Sequence, residues 1–107
     1  MNPMQPRFEL MEVAEVAEDI GKNFKFARAA RGWRQEDLSK VSGASLQAVK
    51  NLEGGGNVEL MTFLKVARAL GMDRAVWEGC RPVPQTLDEL ERIEHARTAT
   101  TRVRSKP

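Results

Sequence analysis

The sequence predicts an all-α protein, and three observations carry that reading. Leu10, Val13, Ala14, Ala17, Ile20, Phe24 and Ala27 recur at helical spacing through a stretch without proline. Between Arg34 and Glu53, RQEDLSKVSGASLQAVKNLE reads as two short helices around a tight turn. From Leu60 to Leu70, LMTFLKVARAL gathers Leu60, Phe63, Leu64, Ala67 and Leu70 on one stripe and leaves Lys65 and Arg68 outside it. The 107 residues amount to one domain with a tail at each end; 41% hydrophobic content suffices for a small helical core but not for a large enzyme cleft.

Met1 to Pro6 holds two prolines and no periodicity, and reads as a frayed end. Arg7 to Trp33 reads as one long helix, or as two with a break near Gly21; Gly32 ends it. Its glutamates recur on a side away from the apolar stripe. That acidic section either packs on the core as a solvated helix or offers a dimerisation or partner surface. Trp33 reads as a structural, buried indole rather than one that stacks on a base.

In the next stretch Leu38 and Val41, three apart, can both face one core. Gly43 follows Ser42, and glycine lets a helix stop by turning left-handed. Ser45 has N-cap chemistry, its hydroxyl able to accept from backbone amides of the following turn. At roughly 100° per residue, Ala48, Val49 and Leu52 share an inner flank, and Leu46, Gln47, Lys50 and Asn51 fill an opposite arc of about 140°. An amide both donates and accepts, as the edge of a base in the DNA major groove requires. A face meant only for water is usually richer in Glu and Lys.

Gly54, Gly55, Gly56 and Asn57 are not a P-loop, since no Lys-Ser/Thr follows and no strand precedes. They read as a flexible loop whose amides can approach a DNA phosphate. Asp73 caps a short helix through Trp77, closed by Gly79, and Cys80 reads as a buried small apolar residue. Arg81-Pro82-Val83-Pro84 is a linker. Thr86 opens T-L-D-E, which suits a capping box for a short charged helix to about Ala96. Beyond it RTATTRVRSKP carries Arg97, Arg102, Arg104 and Lys106 with no acid, and is expected to be disordered when free.

The stretch from Arg34 to Glu53 resembles the helix-turn-helix of the Cro and phage-repressor (XRE) family. Gln35, Leu38, Gly43, Ser45, Val49, Leu52 and Glu53 carry the resemblance, which runs from about Ile20 to Met72. It implies a five-helix, Cro/repressor-type domain over residues 19–80. Before it lies an acidic, helical extension over residues 1–18; after it, over residues 81–107, a linker, a short helix and a basic flexible tail. It implies that the third helix lies in the major groove, with Gln47 and Asn51 as base readers beside Leu46 and Lys50. Leu46 departs from the polar residue many relatives have there and suits a thymine methyl instead. Arg34, Gln35 and Ser45 are the implied phosphate contacts, and Arg28 and Glu53 occupy positions that pair in several phage repressors. Many relatives also carry a basic residue where Gly54 stands, so one phosphate contact is missing. Val76 and Trp77 fall where a fifth helix commonly supports the dimer, the alternative being ordinary core.

The charge distribution agrees with a nucleic-acid partner. Residues 1–20 set Arg7 against Glu9, Glu12, Glu15, Glu18 and Asp19, whereas residues 21–58 hold seven basic residues against Glu36, Asp37 and Glu53. No catalytic triad, metal cluster or nucleotide loop is present, so no enzyme, cofactor or metal is expected, and the single His95 reads as solvent-facing. The lone Cys80, the lack of a secretory-type N-terminus and the lack of a long apolar run suggest a cytoplasmic protein with no membrane partner. The expected function is a dimeric, sequence-specific transcriptional regulator of double-stranded DNA, most often a repressor in this family. The alternative is an antitoxin that binds a toxin through its N- or C-terminal extension, or a restriction–modification controller.

Overall fold

The computed structural model describes residues 8–105, and the side chains of residues 8–100. A turn of 3-10 helix at Phe8–Leu10 precedes α1 (Val13–Ala30), α2 (Gln35–Ser42), α3 (Leu46–Glu53), α4 (Leu60–Ala69), α5 (Asp73–Gly79) and α6 (Leu87–Ser105), with no strand among the described residues. The expected frayed end, Met1 to Pro6, lies outside them. The chain divides into two units after Val76.

The first unit is built on Phe24 of α1, Leu38 of α2, Ala44 in the turn, Val49 and Leu52 of α3, and Val66, Ala67 and Leu70 of α4. Phe24 and Phe63 stack with ring centroids 5.3 Å apart. Two expectations shift here. Val41 is exposed rather than facing the core beside Leu38, and Ala44 from the turn fills the space under α3 instead. In α4 the buried stripe is Val66, Ala67 and Leu70 with Phe63 half-buried, while Leu60 is exposed. The stripe is turned toward Val66, and Leu60 in the first turn stays in solvent.

Helix α1 is continuous through Gly21, which breaks nothing and is itself buried. A Cβ there would lie 2.5 Å from the Leu52 carbonyl oxygen and 2.7 Å from that of Glu53. Gly21 is therefore the crossing point of α1 over the end of α3, where only a hydrogen fits. One turn earlier the backbone of Glu18 meets the glycine loop, since a Cβ on Gly55 would stand 2.8 Å from Glu18 Cα. Gly55 has φ of 80°, so both conformation and space select glycine. At Gly55 that loop thus packs against α1, a constraint on the flexible loop expected.

At 18 residues α1 is roughly 27 Å long, against about 12 Å for the eight-residue α3. Its first half therefore outruns its packing partner. Of the expected stripe, Phe24 and Ala27 reach the core, Ala17 is half-buried, and Leu10, Val13 and Ile20 are exposed.

In the second unit Arg81 stacks over the Trp77 ring, 4.8 Å from its centroid. Cys80 is exposed, not buried as expected, because α5 ends at Gly79, beyond Val76, the last residue packed on the core. Thr86 Oγ1 accepts the Glu89 N–H at 3.1 Å, one half of the expected capping box, while the Glu89 carboxylate accepts the N–H of Gln85, one residue before Thr86, at 2.6 Å. Rather than stopping near Ala96, α6 runs to Ser105. No glycine or proline interrupts that stretch, Arg97 pairs with Glu94 at 3.3 Å, and Thr98 Oγ1 donates to the Glu94 carbonyl at 3.0 Å.

Candidate nucleic-acid interface

The candidate interface is α3 and the turn that presents it. Gly43 closes α2 in the left-handed region at φ 81°, and its N–H donates to the Ser39 carbonyl. Two serines brace the turn from inside: Ser39 Oγ donates to the Ala44 carbonyl at 2.6 Å, and Ser42 Oγ accepts the Ala44 N–H at 3.1 Å. Ser45 caps α3, its hydroxyl accepting the Ala48 N–H at 3.1 Å. These local bonds brace the turn between α2 and α3.

Val49 and Leu52 bury one flank of α3, with Ala48 half-buried beside them. That anchoring turns the opposite flank outward: Gln47, Lys50 and Asn51 are exposed and Leu46 is half-exposed. Gln47 Nε2 donates to Asn51 Oδ1 at 3.0 Å. The i, i+4 spacing of two amides was visible in the sequence and is enough to suggest this bond. Beside them, Asn57, Val58, Glu59 and Thr62 join Ser45, Gln47, Ala48 and Asn51 around a concavity of about 270 Å³. Sequence reasoning passed over this second wall, because nothing local tells that the loop and the start of α4 return beside α3.

Of the residues implied as phosphate contacts, Ser45 is exposed and Arg34 strongly so. Arg34 Nε lies 3.5 Å from Asp37 and Nη1 3.9 Å from Glu36, exposed pairs that a phosphate can replace. Asp37 Oδ2 also accepts the Arg34 backbone N–H at 2.8 Å. That bond, first among the causes, holds the Asp37 carboxyl below its ordinary 3.8.

Gln35 is half-buried, and its Nε2 donates to Glu53 Oε1 at 3.1 Å. Its side chain is therefore engaged inside the protein, a tie across 18 residues that no sequence signal announces. The same Glu53 carboxylate receives Arg28 Nε at 2.6 Å and Nη2 at 2.9 Å, while Arg28 Nη1 donates to the Trp33 carbonyl at 2.8 Å. The Arg28 guanidinium is raised above its ordinary value chiefly by its bond to Glu53, with desolvation opposing. The Glu53 carboxylate thus ties α1 and the start of α2 to the end of α3, and Arg28 extends the network to the α1–α2 loop. Trp33 itself is half-buried and packs on the core, with Arg31 over its ring at 5.2 Å.

A short, rigid turn, a second helix anchored by its inner flank and a polar outer flank define a DNA-reading domain. A family model described as helix-turn-helix matches residues 24–77, half of the chain. The chain belongs to that family, in its Cro/repressor (XRE) branch, and is a DNA-binding regulator of the helix-turn-helix type. No curated protein matches the chain. Among the described residues no helix is long and apolar enough to cross a membrane.

Proposed function

We propose that the protein is a sequence-specific transcriptional repressor that binds an inverted-repeat operator as a homodimer. Helix α3 enters the major groove, where Leu46, Gln47, Lys50 and Asn51 face base edges. Arg34, Ser45 and the amide end of α2 at Gln35 hold the phosphate backbone, fixing register without reading sequence. The observation that carries the reading is the division of α3 itself. An eight-residue helix buries Val49 and Leu52 and leaves two amides and one cation outside. The dimer surface is assigned to α5 at Trp77, whose side chain is 61% exposed; Val76 packs on the core instead and takes the ordinary-core alternative.

The test is selection of duplexes from a random pool by the full chain. An enriched inverted repeat with half-site centres about 34 Å apart supports the reading. Enrichment of a single half-site overturns the dimer, and retention of all sequences equally overturns the reader.

A second reading, an antitoxin that autoregulates its operon, is favoured by one observation. Helix α6 lies wholly outside the matched residues 24–77 and leaves Leu87 79% exposed and Leu90 40% exposed. Copurification of the full chain with the product of a neighbouring gene, lost on removing the second unit, supports that function; a restriction–modification controller predicts no such partner.

A further inference from the structure

Within the reading face, we infer that Gln47 and Asn51 recognise one base between them: Asn51 positions the Gln47 amide, and Gln47 reads the adenine of an A·T pair. The inference rests on the proposed placement of α3 in the major groove.

Both side chains are exposed, and among the described residues the bond between them, Gln47 Nε2 to Asn51 Oδ1 at 3.0 Å, is the only side-chain bond of either. Asn51 is the better-held member. Its backbone carbonyl accepts the Gly56 N–H at 2.7 Å, and its Cβ lies beside Gly56, where the glycine loop folds back on α3 and leaves the short side chain less room than that of Gln47. It is also the shorter side chain, with less rotamer freedom to lose. Gln47 has one more rotatable bond, and without Asn51 its amide would sample many directions. The Asn51 oxygen therefore acts as a fixed acceptor that selects one orientation of the longer amide.

The polarity of that bond decides the base. A primary amide has two N–H bonds, and the one directed away from its carbonyl can serve a neighbour. The Gln47 Oε1 and the second N–H then remain side by side. Adenine presents the complementary edge, an N6–H donor beside the N7 acceptor. Guanine presents two acceptors at N7 and O6, which sets O6 against Gln47 Oε1. Cytosine offers only a donor, and thymine an acceptor and a methyl group. Leu46, adjacent on the same face, suits the methyl of the paired thymine. With the opposite polarity, Asn51 donating, Gln47 would turn its N–H groups outward and favour guanine.

The experiment uses the full chain and the duplex selected from a random pool. Adenine should be enriched at one position of each half-site, and Gln47→Ala and Asn51→Ala should both relax that same position. Placing 7-deazaadenine there removes the N7 acceptor and should weaken the wild type about tenfold, the scale of one good base contact. The same base should leave Gln47→Ala unaffected, and Asn51→Ala should show a much smaller loss. Asn51→Asp keeps the acceptor, so it should retain the adenine preference while binding all duplexes more weakly through its charge. Guanine enriched at the position, or Asn51→Ala relaxing a different position from Gln47→Ala, overturns the inference while the DNA-reading function stands. A pool with no enriched sequence overturns both.

Discussion

Arg28 and Glu53, 25 residues apart, meet in a two-pronged ion pair whose side chains are only 12% and 4% exposed. The pair lies away from the exposed flank of α3, yet it ties the end of that helix to α1. Glu53 is the last residue of α3, and its carboxylate is held at once by Arg28 and by Gln35. No buried side-chain polar atom among the described residues lacks a partner, so the network is complete as built. A complete buried network is costly to interrupt, because removing one member leaves the others desolvated and unpaired.

Arg28→Ala should therefore destabilise the protein by about 3–5 kcal/mol, the scale for stranding one member of a buried pair. Arg28→Lys should recover little, since an ammonium cannot bridge both carboxylate oxygens and the Trp33 carbonyl with one planar fork. Urea unfolding measures this. A loss within about half a kcal/mol for Arg28→Ala would assign the pair the weight of a surface contact.

Gly21→Ala offers a second test of the α1–α3 crossing. In an open helix the change gains up to about 1 kcal/mol. Here the new methyl meets two backbone carbonyls at 2.5 and 2.7 Å, and backbone cannot step aside as a flexible side chain would. The expected result is a net loss of about 1–3 kcal/mol or more. Gly79→Ala, at the end of α5 with open space around it, serves as the control and should be near neutral. Equal unfolding midpoints for the two variants would remove Gly21 from its role.

These two sites mark the limits of what the sequence discloses. The turn was legible because its chemistry is local: Gly43 stops α2, Ser45 caps α3, and Val49 and Leu52 repeat at helical spacing. Gly21 invited the opposite reading, a helix break, since the carbonyls that exclude a Cβ come from residues more than thirty positions later. Periodicity located α4 but missed the phase of its buried stripe, because both Leu60 and Val66 are apolar and only packing chooses between them. The sequence understates the length of α6 for a related reason. Polar composition argued for disorder, whereas local pairs such as Arg97 with Glu94 support helix without a core.

The acid side of the stability profile should report on Asp37. Its carboxyl is lowered from 3.8, first by the Arg34 backbone N–H, with the Arg34 side chain adding to it. A folded value below the unfolded one means that the contribution is present above about 3.8 and is lost as pH falls through the folded value. Asp37→Asn should therefore lower the unfolding midpoint at neutral pH, and the gap should close in strong acid, below both values. A gap of the same size at both ends of the range would trace the effect to packing rather than to charge.

Arg34 separates positioning from reading. As a phosphate contact it carries no sequence information, so Arg34→Ala should weaken binding to operator and to scrambled duplex by the same factor. It should also flatten the plot of log affinity against log salt by about 0.9. Release of Glu36 and Asp37 from their pairs adds to the loss, since both carboxylates then face the phosphates unneutralised. A loss confined to the operator would make Arg34 a base reader instead.

Salt dependence also divides the two functional readings at the C-terminal end. Arg97, Arg102, Arg104 and Lys106 are the charged residues after Ala96, all of one sign. Phosphates flanking the operator would draw such a segment along the DNA, each neutralised phosphate contributing about 0.9 to the slope. Arg97 is already shared with Glu94, so its engagement would first require exchange of that exposed pair. Deleting the chain after Ala96 should therefore flatten the slope by about one or two units rather than by the three to four that full engagement would give. An unchanged slope excludes a DNA arm. If a copurifying protein disappears in the same truncation, the segment serves a protein partner, and the antitoxin reading gains over the simple repressor.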